Sequence, residues 1–203
     1  LVAYDHLVAY ELIKDEIDYS LKKQWKDIIR RWIIYILQTN ETHAFISNHL
    51  ATAAAALFRW SIIENNKNLS LESLKKGQKI IEEIISNQSP NDNWYLEYEG
   101  PDPGYQSLCI TYLVDAWINM KRIKNLQKNN EKLIKSLQKS IYFLSYFIHP
   151  DGSYGGIYGS RNTRFYSPAG IEYLSSYLPE SSAISVELRK SIAKQKLVNL
   201  SSL

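Results

Sequence analysis

A chain of 203 residues with 45% hydrophobic side chains is long enough to bury one hydrophobic core, and its composition excludes disordered, collagen-like and coiled-coil proteins. The formal net charge of +3 is small and the basic residues are scattered, which argues against nucleic acid binding. No apolar stretch approaches the roughly 20 residues of a membrane-spanning helix, so no membrane span is expected. We expect one domain over residues 1–203, and the start at Leu1 predicts a fragment of a longer chain with an additional domain.

The spacing of apolar residues predicts helices in the first half of the chain. Apolar side chains recur every three or four residues over 7–19 and over 25–37, which indicates two amphipathic helices. A third helix at about 47–64 is rich in alanine, and neighbouring helices can approach such a helix closely. A fourth is predicted at 70–86, with Ser70 as its cap.

Two long irregular segments interrupt the second half. Residues 87–104 are rich in Asn, Asp, Pro and Gly, and residues 151–168 are rich in Gly and Tyr, with a short strand or hairpin compatible with 154–158. Helices are predicted at about 105–121, 130–148, 169–177 and 182–199. Alternating short and long connections predict an all-α fold of helical hairpins with the long loops on one face.

Several classes of chemistry find no support in the residues. The chain has one cysteine, Cys109, which excludes an internal disulfide. Because Cys109 lies in an apolar helical run, we expect its thiol to be buried and inert. The four histidines are dispersed and none pairs with a carboxylate at ligand spacing, so we expect neither a metal nor another cofactor. Terpenoid chemistry is disfavoured because no aspartate-rich metal-binding run occurs.

The most informative motif is the polar pair Asn48 and His49 at the start of the alanine-rich helix. Its structural interpretation is that Ser47 or Asn48 caps the helix and that His49 is an interior histidine with satisfied hydrogen bonds. The functional interpretation is that the pair donates hydrogen bonds to a ligand, and it depends on the two motifs that follow.

The second motif, residues 94–106, contains a Pro-Gly turn that places Tyr105 at a helix start, and the third, residues 149–161, contains a Pro-Asp-Gly turn. In order and spacing, the three motifs resemble the toroid domain of heparinase II/III-like and alginate-lyase-like polysaccharide lyases. The resemblance extends over about residues 42–170. It implies helical hairpins that form part of an (α/α) toroid, an incomplete barrel.

The resemblance also implies β-elimination at a uronic acid in an acidic polysaccharide or oligosaccharide. Removing the proton beside the carboxylate builds a second negative charge, which hydrogen-bond donors must stabilise. By resemblance, Asn48 and His49 hold the carboxylate, and Tyr105 acts as the base and then returns the proton to the leaving oxygen. A periplasmic or secreted location would suit such a lyase, although the sequence shows no signal for it.

Six other side chains are candidates for substrate binding. Trp94, Tyr95 and Tyr98 could stack on sugar rings, and Asp102 lies in the same loop. Arg161 and Arg164 could bind uronate carboxylates through paired hydrogen bonds. Packing within the loops is an equally compatible interpretation for the aromatic residues, and a solvated surface is one for the arginines.

Two other functions are compatible with the same sequence. A toroid glycoside hydrolase would use Glu97, Glu99 or Asp102 together with Asp151 as its acid and base, and it would not require the three lyase residues. A non-catalytic module of polysaccharide biosynthesis would bind a glycan through its aromatic loops, and the Asn-His pair would only cap its helix.

Overall fold

The computed structural model describes residues 1–40, 43–124, 126–154 and 166–193, and within them it contains eight α-helices and no β-strand. The helices are α1 (Val2–Ile13), α2 (Tyr19–Gln38), α3 (Ser47–Ile63), α4 (Lys67–Ser86), α5 (Pro103–Lys121), α6 (Gln127–Ser145), α7 (Ala169–Leu174) and α8 (Pro179–Ala193). The predicted all-α fold is confirmed. None of these described helices is long and apolar enough to cross a membrane.

The helices form hairpins that pack in two layers. Each odd-numbered helix packs against the even-numbered helix that follows it. The odd-numbered helices also contact one another in succession, α1 with α3, α3 with α5 and α5 with α7. The even-numbered helices make a second series of contacts along the other side. The predicted helical hairpins are therefore present.

The two central helices, α3 and α5, are buried on most of their surfaces, and their side chains explain why. Alanines on α3 allow neighbouring helices to approach closely, and Gly77 of α4 packs against the ring of Phe58. By contrast, α2, α4 and α6 each bury one apolar stripe and expose a polar face, as amphipathic helices do. The sequence pattern of each helix thus matches its layer.

A buried ion cluster joins α1, α3 and α5. The guanidinium of Arg59 on α3 donates to both carboxylate oxygens of Asp115 on α5, with Nε 2.8 Å from Oδ2, and to Glu11 of α1. The same guanidinium lies over the ring of Tyr4, 5.6 Å from its centroid. Burial, reinforced by the charge of Asp115, raises the pKa of Tyr4 to about 12. The cluster fixes the three helices relative to one another.

Some element boundaries differ from the sequence prediction. α4 begins three residues early because Asn66 caps it, its side-chain oxygen accepting from the backbone N–H groups of Asn68 and Leu69. The predicted cap, Ser70, instead donates its hydroxyl to the Ser61 carbonyl at 2.6 Å. Of the possible strand at 154–158, Tyr154 makes an isolated bridge with Ile148, and the other positions lie outside the described residues.

Candidate functional site

The start of α3 is held by a glutamate from the long loop between α4 and α5. The backbone N–H of Asn48 donates to Glu97 Oε1 at 2.8 Å, and Asn48 Nδ2 donates to Oε2 at 2.8 Å. Ser47 adds two hydrogen bonds to the carbonyl of Leu96. A negative group at a helix N-terminus is favourable because it compensates unpaired N–H groups and the helix dipole. Glu97 therefore fills the capping role that the sequence suggested for Ser47 or Asn48.

Glu97 is a buried carboxyl with an altered proton affinity. It is 5% exposed, and burial raises its pKa from 4.5 to about 7, with a further increase from the charge of Asp102. The two hydrogen bonds from Asn48 act in the opposite direction because they favour the charged form. A group that titrates near neutrality thus lies directly against the predicted site residue.

His49 points away from this contact into an open cleft between α2, α3 and α4, which we call the His49 cleft. The cleft has a volume of about 590 Å³ and includes Thr39, Asn40, Lys76 and Lys79 in its lining. Lys76 Nζ donates to the Thr39 carbonyl at 3.2 Å and to Asn40, and Lys79 lies 3.8 Å from Glu83. The lining also includes the carboxylate of Glu83, so two ammonium groups against one carboxylate leave one positive charge. Together with the exposed imidazole, this excess of positive charge on one concave surface can bind an anion.

Tyr105 is placed by the cap of α5. Asp102 is the N-cap residue, and its Oδ1 accepts from the backbone N–H of Tyr105 at 3.0 Å. Pro103 occupies the first helical position, where its missing N–H costs nothing. The side chain of Tyr105 is half-buried, whereas Asp102 is only 4% exposed. This geometry gives Asp102 a positioning role, and its predicted contact with substrate stays a prediction.

The three predicted aromatic residues lie in different surroundings. Tyr95 is fully buried, so its ring is not open to a sugar as the sequence suggested. Trp94 is half-buried and lines a second cleft of about 510 Å³ between the α4–α5 loop and the end of α6, which we call the Trp94 cleft. Tyr98 is 45% exposed, with a backbone φ of 57°, and meets the ring of His43 edge-on at 6.1 Å between centroids. Arg161 and Arg164 lie outside the described residues.

The structure thus connects some predicted residues and separates others. Asn48 is linked through Glu97 to the loop that ends at Asp102 and Tyr105. Neither Asn48 nor Tyr105 is among the described residues that line the two clefts, whereas His49 lines one cleft and Trp94 the other.

Sequence reasoning missed several residues that the structure adds to the site. It treated Glu97 only as a hydrolase carboxylate and overlooked the lysines of the His49 cleft. It also missed Tyr142 and Tyr146 in the Trp94 cleft, although two tyrosines four residues apart on a polar helix were a visible signal.

Within the described parts of the chain, no three His, Cys, Asp or Glu side chains are grouped so that they could hold a metal ion. The family model described as the ulvan lyase N-terminal domain matches residues 3–167, which is most of the chain. No curated protein and no solved structure gives a significant match.

Proposed function

Because the chain belongs to the family of the ulvan lyase N-terminal domain, we propose that it takes part in β-elimination on a uronate-containing polysaccharide. The family supports a polysaccharide lyase-like domain. The uronate, the relation to heparinase II/III-like enzymes and the roles of individual residues are our proposal. Ulvan, which the family name gives, is the first polysaccharide to test.

The observation that carries the proposal is the charge of the His49 cleft. A uronate bound there would meet the imidazole of His49 and the ammonium groups of Lys76 and Lys79. Positive groups and hydrogen-bond donors lower the cost of the second negative charge that develops when the neighbouring proton leaves. In this proposal the lysines add to the positive charge that the sequence assigned to Arg161 and Arg164, whose roles stay predictions.

Asn48 and Tyr105 receive the remaining roles from the family resemblance, and neither is among the described residues that line the His49 cleft. One N–H of the Asn48 amide is used by Glu97, so the amide has a fixed orientation and one further hydrogen to donate to a carboxylate. Tyr105, at the rigidly capped start of α5, would accept the proton and return it to the leaving glycosidic oxygen. Asp102 and Glu97 act as positioning residues in this scheme.

We further propose that the two layers of hairpins are an arc of an (α/α) toroid and that residues 1–203 act as one domain beside an additional domain. The support is the succession of contacts among the odd-numbered helices, with the even-numbered helices on the other side. In such an arrangement, the helix starts of one layer lie around a common opening. The start of α3, with Asn48 and His49, would lie at that opening.

The hydrolase alternative receives less support from the geometry. Both oxygens of Glu97 are bound by Asn48, and Asp102 is buried at the start of α5. Asp151 accepts hydrogen bonds from Ser153 within its own turn. Glu99 is exposed and, like these three residues, is not among the described residues that line either cleft. Each cleft has one carboxylate in its described lining, whereas the acid and base of a glycosidase require two that face one cleft.

The test is to incubate the purified full-length protein with ulvan and with a panel of polyuronates. Elimination creates a conjugated unsaturated uronate, and we expect its ultraviolet absorbance to rise on at least one substrate. Tyr105→Phe should lower the rate by about 100-fold or more because the transferable proton is lost. The matched control is Tyr19→Phe, since Tyr19 is 81% exposed and lines neither cleft.

Lys79→Ala should weaken substrate binding, whereas Lys190→Ala, on α8, should not. An unchanged rate in Tyr105→Phe would contradict the assigned base. New reducing ends without absorbance would establish a hydrolase instead. Binding with neither signal would leave a non-catalytic glycan-binding module.

A further inference from the structure

The Trp94 cleft has the composition of a sugar-binding surface rather than of a structural groove. Four of its aromatic side chains come from two elements that face each other, Trp94 from the loop and Tyr142, Phe143 and Tyr146 from the end of α6. Tyr142 is 50% exposed and Tyr146 is 70% exposed. Large aromatic rings left open to solvent in a concave surface are typical of binding sites.

The aromatic rings at the end of α6 contact one another in pairs. Tyr146 donates its hydroxyl hydrogen to the Tyr142 hydroxyl at 2.7 Å, and the two rings meet edge to face with centroids 5.3 Å apart. Phe143 and Phe147, which are also four residues apart, pack with their ring centroids 4.9 Å apart. Side chains that already contact one another lose less conformational entropy when a ligand binds.

The backbone around Trp94 is fixed as well. Its carbonyl accepts from the backbone N–H of Ser89, and Asn93 before it has a left-handed φ of 67°. The next residue, Tyr95, is fully buried, and its hydroxyl is 2.8 Å from Ser136 Oγ on α6. The side chain of Gln88 also bonds to Ser136, through its backbone carbonyl and its hydroxyl, so a second residue connects this segment to the same position on α6.

The charge of the cleft limits the kind of sugar that it would accept. Asp92 is the only side chain with a formal charge among the described residues that line it, and Asn91 and Asn93 lie beside it. The carboxylate of Asp92 and the two amides can form hydrogen bonds with sugar hydroxyls. A carboxylate on the ligand would instead be repelled by Asp92. The His49 cleft, with two lysines against one glutamate, has an excess of positive charge and the opposite preference.

We propose that the Trp94 cleft binds an uncharged pyranose ring of the polysaccharide by stacking it on Trp94, Tyr142 and Tyr146. The substrate would then contain neutral sugars as well as uronates. This inference rests on the proposed function, because it assumes that the ligand is a polysaccharide. The neutral sugar would bind in the Trp94 cleft and the uronate in the His49 cleft.

The test uses affinity electrophoresis of the full-length protein in gels that contain ulvan. The wild type is compared with Trp94→Ala and Tyr146→Ala. The matched controls are Trp32→Ala and Tyr19→Ala, whose aromatic rings are 42% and 81% exposed and line neither cleft. Each protein is run at low ionic strength and at roughly 1 M, where the screening length is about 3 Å and ion pairs contribute little.

We expect retardation of the wild type to persist at the high ionic strength, and both cleft variants to bind about tenfold more weakly, because a stacking contact is lost. The controls should match the wild type. Tyr146 is exposed, so its variant keeps the test valid even where Trp94→Ala fails to fold.

The other outcomes separate this inference from the proposed function. Equal retardation of all four variants, or retardation of the wild type only at low ionic strength, would overturn the neutral-sugar cleft and leave the lyase proposal intact. A wild type that ulvan does not retard at either ionic strength, and that releases no unsaturated uronate from any polyuronate, would overturn both.

Discussion

Replacing Glu97 by glutamine should change how the stability of the fold depends on pH. Glu97 joins the α4–α5 loop to the start of α3, and both of its oxygens accept hydrogen bonds from Asn48. Glutamine has nearly the same shape but no charge and cannot titrate. The substitution therefore removes one proton-binding equilibrium while it keeps most of the packing.

The magnitude follows from the pKa of about 7 in the folded chain against an ordinary value of 4.5. Because the folded state binds the proton more tightly, the free energy of unfolding falls as the pH rises through this window. A difference of about 2.5 pKa units corresponds to about 3 kcal/mol, lost between about pH 4.5 and about pH 7. Glu97→Gln should lack this loss, with a pH-independent cost of about 1 kcal/mol for the acceptor it removes from Asn48 Nδ2.

The assay is urea unfolding followed by circular dichroism, at several values between about pH 4.5 and about pH 8, on the wild type, Glu97→Gln and Glu99→Gln. Glu99 lies two residues further along the same loop and is exposed, so it controls for the loss of one acidic charge. The difference between the wild type and Glu97→Gln should change by about 3 kcal/mol over the window. A constant difference would refute the reasoning, and so would an equal change in Glu99→Gln.

Three further predictions concern the packing of the helices. Gly170→Ala should destabilise the fold by about 2 kcal/mol in urea unfolding, because a Cβ there would lie 2.7 Å from the backbone of Thr111, and an unchanged midpoint would contradict that close approach. Asp115→Asn should lower the free energy of unfolding by about 3 kcal/mol in the same assay, because it removes the main partner of the buried charge of Arg59. A decrease below about 0.5 kcal/mol would show that the ion pair is dispensable. Cys109, which is fully buried and whose thiol pKa is raised by that burial, should react with a thiol reagent only after unfolding, whereas rapid labelling of the native chain would contradict its position.

Much of the fold follows from the sequence because the spacing of apolar residues predicts each helix and the face that it buries. The amphipathic pattern predicted α2 and α4, and the alanines predicted that α3 would be crowded by neighbours. The start of α4 was misplaced because its cap, Asn66, stands before the apolar pattern begins. Which helices contact each other across the layers depends on distant residues, such as Arg59 and Asp115, that no local pattern connects.

The site was less predictable for a related reason. The Asn-His motif marked the right helix start, but consecutive residues on a helix point in directions about 100° apart. Asn48 therefore faces the loop, while His49 faces the cleft. Glu97 lies 49 residues from Asn48 in the chain, and only the folded structure shows that the two side chains share their hydrogen bonds. Of the three acidic residues between positions 97 and 102, Glu97 and Asp102 are buried, so only Glu99 presents a carboxylate that would repel a polyanion.

The α4–α5 loop gives the two clefts a common frame. Two nearby residues of the loop make these contacts: Tyr95 is bonded to Ser136 of α6, and Glu97 is bonded to Asn48 at the start of α3. Trp94, which precedes Tyr95, and His49, which follows Asn48, are therefore connected through a short stretch of the loop. A polysaccharide that bound a neutral ring at one cleft and a uronate at the other would be oriented by two contacts. Binding energy gained at a sugar remote from the reacting bond could then position that bond. Under this proposal, the buried carboxyl of Glu97 would act as a positioning residue that does not touch the substrate.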